Sequence, residues 1–217
     1  MTSLMAEMFP VFTVGVRSTI LFSIGSVGLG FCVGVLICAM RLGRSRSLYV
    51  LSSFYVSAMR GMPLFVQLLI AYYCLPLVGF NVSPEVSALL TLAACTGAYQ
   101  AEILRGGFLG IPPGQIEAAR MSGLNSWQIL RHIQVPQAVR LTFPSLLNEA
   151  VAMVKASSLI SAVGVLELTR AAQNIAASTY RPLPVYLTAG AIYLVITVGV
   201  SVAGAILERR LRVGQAS

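Results

Sequence analysis

Apolar positions dominate this chain in long runs, and short polar stretches rich in arginine, proline and glycine punctuate them. A helix that crosses a bilayer needs roughly 20 mostly apolar residues. The pattern predicts five such helices, at residues 12–40, 63–79, 86–104, 141–163 and 184–207. The expected fold class is therefore all-α membrane protein, with residues 1–217 forming a single transmembrane domain. The first run is longer than a signal-peptide core and has no basic leader, so it is expected to stay uncleaved. Gly25, Gly28, Gly30 and Gly34 recur along it and predict a face for close helix packing. Phe80-Asn81-Val82-Ser83-Pro84-Glu85 carries turn residues between the second and third runs. Residues 164–182 are more polar and are expected at or outside the far membrane surface.

Charge adds an orientation. Arg41, Arg44, Arg46 and Arg60 lie between the first two spans, Arg105, Arg120, Arg131 and Arg140 between the third and fourth, and Arg209, Arg210 and Arg212 after the last. Only Arg17, Arg170 and Arg181 fall on the other side. Cytoplasmic loops hold the excess of positive charge, which predicts the N-terminus outside and the C-terminus in the cytoplasm. The net charge of +8 is accounted for in this way, and no nucleic-acid partner is expected. Charged residues make up 10% of the chain, against about a quarter in soluble domains.

Composition also excludes chemistry. There is no Asp, Lys155 is the only lysine and His132 the only histidine, so no metal cluster is expected. No nucleophile arrangement is present, and no catalytic residue is expected. Cys32, Cys38, Cys74 and Cys95 sit in apolar runs without metal spacing and read as small buried residues. Lys155 follows Val154, so a phosphate-binding Gly-Lys pair is absent. If ATP drives this protein, another subunit holds the nucleotide.

The polar segment at residues 105–140 carries the most local information. Pro112-Pro113-Gly114 opens it, and proline is well suited to a helix start. A short helix is expected over 115–122, ended by Gly123. Asn125 or Ser126 caps a second helix, with Gln128 in the capping-box position, and Pro136 is expected to end it. The product is a helix–glycine–helix elbow. Ala118 and Ala119 would present a smooth face, and Glu117 near the helix start suits the macrodipole. Such an elbow serves either as an amphipathic connector on the lipid surface or as a docking surface for a soluble partner. Trp127 would anchor it at the interface, and His132 reads as a packing or hydrogen-bonding side chain.

Glu117-Ala118-Ala119-Arg120-Met121-Ser122-Gly123 followed by Ile133-Gln134-Val135-Pro136 resembles the cytoplasmic loop signature of permease subunits in bacterial ABC importers. Val135 replaces the usual Leu. Arg60-Gly61-Met62-Pro63-Leu64-Phe65-Val66-Gln67 resembles the entry to the second span in polar amino-acid permeases, with Met62 at a common Thr. Residues 97–107, Asn148-Glu149, Lys155-Ala156-Ser157-Ser158-Leu159 and residues 167–172 are similar to further segments of that family. The likeness covers residues 19–212 and points to the histidine, glutamine, arginine and opine group.

The resemblance implies a type I importer permease in the bacterial inner membrane. Two permease subunits, identical or related, form the path. A dimer of ATP-binding subunits, which bind ATP and Mg, docks on Glu117, Ala118, Ala119, Arg120, Met121 and Gly123. An extracytoplasmic solute-binding protein delivers a polar amino acid, basic ones included, or alternatively an opine or other small zwitterion. The chain itself holds no cofactor and works in membrane lipid. The rival of another class is a stand-alone secondary transporter, against which the lack of a visible inverted repeat counts.

Polar residues inside the predicted spans mark a path, because ionisable groups at membrane depth usually face a cavity or a partner. Asn148, Glu149, Lys155, Ser157 and Ser158 are the substrate-path candidates: Glu149 for a cationic group, Lys155 for a carboxylate. Six residues apart, Glu149 and Lys155 are turned by about 600° on a helix and are not expected to pair. Many relatives carry Asp where this chain has Ala156, which implies a weakened site or one left to a partner subunit. Gln67, Tyr99, Glu102 and Arg105 are gate or structural candidates, and Glu102 and Arg105 are spaced to pair on one helix face.

Overall fold

The computed structural model describes residues 2–213, with side chains placed for residues 9–210, so the side chain of Arg212 lies outside the described ones. All regular structure among these residues is helical. Helix α1 (Thr2–Leu42), α4 (Pro84–Leu109), α7 (Val135–Ala156) and α9 (Pro182–Val213) are the long elements. Between them lie α2 (Arg46–Gly61), α3 (Leu64–Cys74), α5 (Pro113–Met121), α6 (Ser126–Ile129) and α8 (Leu168–Thr179).

The centre of the molecule is α4, against which α1, α2, α3 and α7 all pack. Ser83 caps its start by accepting from Val86 N, and Pro84 occupies the first turn, where no amide hydrogen is needed. Ala88, Thr91, Thr96, Gly97, Ala98 and Gln100 are buried along it. Small residues bring α1 close. A Cβ on Gly97 would sit 3.0 Å from Val33, and one on Gly34 would sit 3.0 Å from Gln100 Cβ. A Cβ on Gly30 would collide with Thr96 Cγ2. The expected glycine face is thus real at Gly30 and Gly34, and Gly25 touches it through Leu89. Gly28 is a correction: it is exposed, with open space around it.

Three helical stretches are long and apolar enough to cross a membrane: Phe9–Leu42, Ser126–Val163 and Pro182–Arg210. They contain the first, fourth and fifth predicted spans. The third, within α4, falls short of that apolarity because its neighbours are protein side chains rather than lipid, and it can afford Thr, Gln and Glu.

The second prediction needs correction. Residues 63–79 do not form one straight helix. The 11 residues of α3 cover about 16 Å at about 1.5 Å each, roughly half of a ~30 Å hydrocarbon core. A short 3-10 turn, Pro76–Val78, follows. The connection expected before this span is itself the 16-residue helix α2, bent by 104° against α3. Pro63 stands at the bend. The Gln67 amide donates to Met59 O (2.7 Å) and Met62 O (2.9 Å), fastening the bend to carbonyls that would otherwise go unpaired. Gln67 thus holds the bend in place.

Residues 164–182 also depart from a simple surface connection. Helix α8 packs between α1 and α9, with Leu168, Ala171, Ala172 and Ile175 buried together with Phe12 and Val185. Glu167, fully buried, caps α8 by accepting from Thr169 N at Oε2 (2.8 Å) and Arg170 N at Oε1 (2.7 Å), and Tyr193 on α9 also donates to Oε2, at 2.6 Å. Burial pushes the Glu167 carboxyl above the ordinary range, and these hydrogen bonds, first that of Tyr193, oppose the shift. Thr19 of α1 accepts from Leu168 N, completing a knot of three helices.

Candidate functional site: a capped elbow and the charged cavity above it

The elbow is built as its local sequence dictates. Pro113 starts α5, and Gly123 ends it at φ +82°, a conformation that glycine adopts freely. Leu124 N reaches Ala119 O (3.1 Å) and Gly123 N reaches Arg120 O (3.0 Å), a Schellman closure that satisfies the last carbonyls. Asn125 and Gln128 then form a reciprocal capping box at 2.9 Å each way, which opens α6. Gln137 Nε2 donates to Gln115 Oε1 at 2.7 Å and ties the elbow back to α7. His132 Nδ1 lies 3.0 Å from Gln128 O.

Two expectations here fail. Pro136 does not end the second helix. A π turn at Leu130–Gln134 carries it onward into α7, with Val135 N donating to Leu130 O. The wider turn lets the chain pass a residue that has no amide hydrogen to give. Ala118 and Ala119 also do not share one outer face: Ala119 is buried, whereas Glu117, Ala118, Arg120, Met121 and Gly123 are exposed. Met121 (89% exposed) and Trp127 (65%) stand out as uncovered large side chains on this short elbow.

Above it, Glu102 gathers charge. Arg105 donates Nε and Nη2 to the two carboxylate oxygens (3.1 and 2.9 Å), as their spacing predicts. Arg41, at the end of α1, donates to Oε1 as well. Arg60, at the end of α2, lies 4.0 Å from Oε2 and stacks over the Tyr99 ring at 5.1 Å. Glu102 therefore ties α1 and α4 together, with α2 at the edge of the cluster.

Glu149 faces a cavity of about 470 Å³ lined by Arg60, Tyr99, Cys95, Met153 and Ala156 among others. Its carboxylate accepts from Thr96 Oγ1 at 3.0 Å, and Gln100 in turn donates to Thr96 at 3.3 Å.

The sequence matches, over residues 26–213, the family described as binding-protein-dependent transport system inner membrane component. This chain belongs to that family. It is 38% identical over 208 residues to the nopaline transport system permease protein of Agrobacterium fabrum, covering 91% of this chain and 86% of that one. It is 39% identical over 197 residues to the octopine transport system permease protein of Rhizobium meliloti, covering 87% and 80%. Among solved structures it resembles an amino acid ABC transporter crystallised with histidines, at a TM-score of 0.90 and 35% identity, over 95% of this chain and 96% of that one. The fold is thus that of a type I importer permease.

Within this fold the path candidates separate. Glu149 reaches the cavity. Asn148 and Lys155 are on exposed faces of α7, and no ion pair joins Lys155 to Glu149 among the described residues. Ser157 and Ser158 spend their hydroxyls on Val154 O and Lys155 O (2.8 Å each) in the 3-10 turn Ser157–Val163. Cys38 and Cys95 are buried as expected, whereas Cys32 and Cys74 are exposed. Sequence reasoning missed Arg41, Arg60 and Thr96. Their contacts cross between helices 39 to 61 residues apart in sequence, and no local spacing encodes them; both arginines read simply as orientation charges.

Proposed function

We propose that this chain is the membrane-spanning permease subunit of an ATP-driven importer of a polar amino acid or opine. The carrying observation is the elbow: a capped, glycine-hinged segment whose outer face, Glu117, Ala118, Arg120, Met121 and Gly123, is exposed while Ala119 anchors it inward. A rigid lever of this kind suits a soluble motor. ATP-binding subunits, with ATP and Mg on their own residues, dock there, and the continuous helix from Ser126 through α7 carries their motion into the membrane.

Five spans follow if α2 and α3 together make one broken span and α4 another, and the excess of arginine on one side supports an elbow in the cytoplasm. A second permease subunit covers the exposed face of α7 that bears Asn148 and Lys155. A solute-binding protein feeds the opposite side. The Glu149 cavity receives the cationic group of the cargo, since a half-buried carboxylate with one neutral hydrogen bond is left wanting a positive partner. The opine reading is favoured by the nopaline and octopine permeases at 38% and 39% identity.

The test is co-purification with the ATP-binding subunit. Gly123→Asp forces a side chain into a left-handed turn and puts a charge on the docking face. The variant chain should insert normally yet retain less than about a tenth of the bound ATPase, a loss of about 1.4 kcal/mol or more. Undiminished retention would refute docking at the elbow.

A further inference from the structure

We propose that Arg60 is the carboxylate receptor of the cavity, so that the ligand is held as a zwitterion between Arg60 and Glu149. The inference rests on the importer reading and adds the second half of the recognition. Charge placement carries it. Among the residues lining the cavity, Glu149 is the one carboxylate and Arg60 the one cation, and no ion pair joins them. Glu102 already holds Arg105 through two hydrogen bonds and Arg41 through another. Arg60, at 4.0 Å from Glu102, makes no hydrogen bond to it, and 43% of its side chain is exposed. Its guanidinium carbon lies 5.1 Å from the centre of the ring of Tyr99, itself a cavity residue, a cation–π contact that holds the group at the cavity wall. A planar fork of donors matches a carboxylate bidentately in a way that an ammonium does not. Lys155, the lysine expected to play this part, is on the exposed face of α7.

The experiment uses the full complex of this chain, its second permease subunit and the ATP-binding subunits, purified in detergent. Equilibrium binding is measured for L-arginine against agmatine and for L-histidine against histamine, each pair differing only in the carboxylate. The parent should bind at least one amino acid about tenfold or more tighter than its amine, a charge-assisted bidentate contact supplying that margin. In Arg60→Gln the amino acid should lose that margin while amine binding is unchanged, which also reports an intact cavity. Arg60→Lys should recover part of it. Glu149→Gln should weaken both members of the pair. If Arg60→Gln keeps the discrimination, or weakens both members alike, the assignment is overturned, while a surviving effect of Glu149→Gln leaves the cavity in place. If the parent binds neither amino acid, this assignment is overturned, while ATP-dependent uptake by the full assembly would leave the importer reading standing.

Discussion

Glu102 shows how little of a charged site the one-letter pattern contains. Its pairing with Arg105 follows from a three-residue spacing on one helix. Its pairing with Arg41 joins the ends of two different helices and depends on how closely α1 lies on α4, which the small residues at Gly30, Gly34 and Gly97 set. Removing the shared partner should therefore hurt more than removing a peripheral one. Arg60 and Glu102 stand 4.0 Å apart with Arg60 half-exposed, and a contact of that kind is worth about 0–1 kcal/mol. Arg41 and Glu102 are only 12% and 19% exposed, and unpairing a fully buried ion costs about 3–5 kcal/mol, a ceiling that their residual exposure lowers. Glu102→Gln should thus lower the thermal midpoint of the purified protein clearly, and Arg60→Gln only slightly. Equal shifts would mean that the cluster does not hold α1 to α4.

At the scale of elements, the long apolar helices and the elbow are legible because their signals are local. Apolar runs set α1 and α9, and the order Pro113, Gly123, Asn125, Gln128 writes a start, a stop, a cap and its reciprocal partner within 16 residues. The α2–α3 break and the burial of α8 are not legible. They depend on Gln67 reaching back to Met59 and Met62, and on Glu167 meeting Tyr193, contacts that no periodicity marks. The passage through Pro136 is hidden for the same reason, since a π turn has no composition signal. The capping box gives a graded prediction. Asn125→Ala should cost about 0.5–2 kcal/mol locally, because one orphan amide loses its acceptor. Hydrogen exchange at the start of α6 should quicken, with the transmembrane helices unaffected. Unchanged exchange would show that docking contacts, or the tie from Gln137 to Gln115, define the elbow instead.

In the whole molecule, one continuous helical stretch, Ser126–Val163, joins two regions. In the proposed importer the elbow below receives force, and α7 carries Glu149 into the cavity. Glu149 itself was readable as an ionisable residue inside an apolar run. Its cavity was not, because Arg60, Tyr99 and Ala156 come from three helices that only the packed fold brings together. The chain has no Gly-Lys pair with which to hold phosphate, and the proposed importer draws its force from separate ATP-binding subunits. The most direct measurement is solute uptake into proteoliposomes, comparing this permease chain reconstituted alone with the same chain beside its second permease subunit, binding protein and ATP-binding subunits. The account predicts accumulation only in the full assembly and only with ATP. Uptake by the lone chain, driven by an ion gradient and indifferent to ATP, would contradict it.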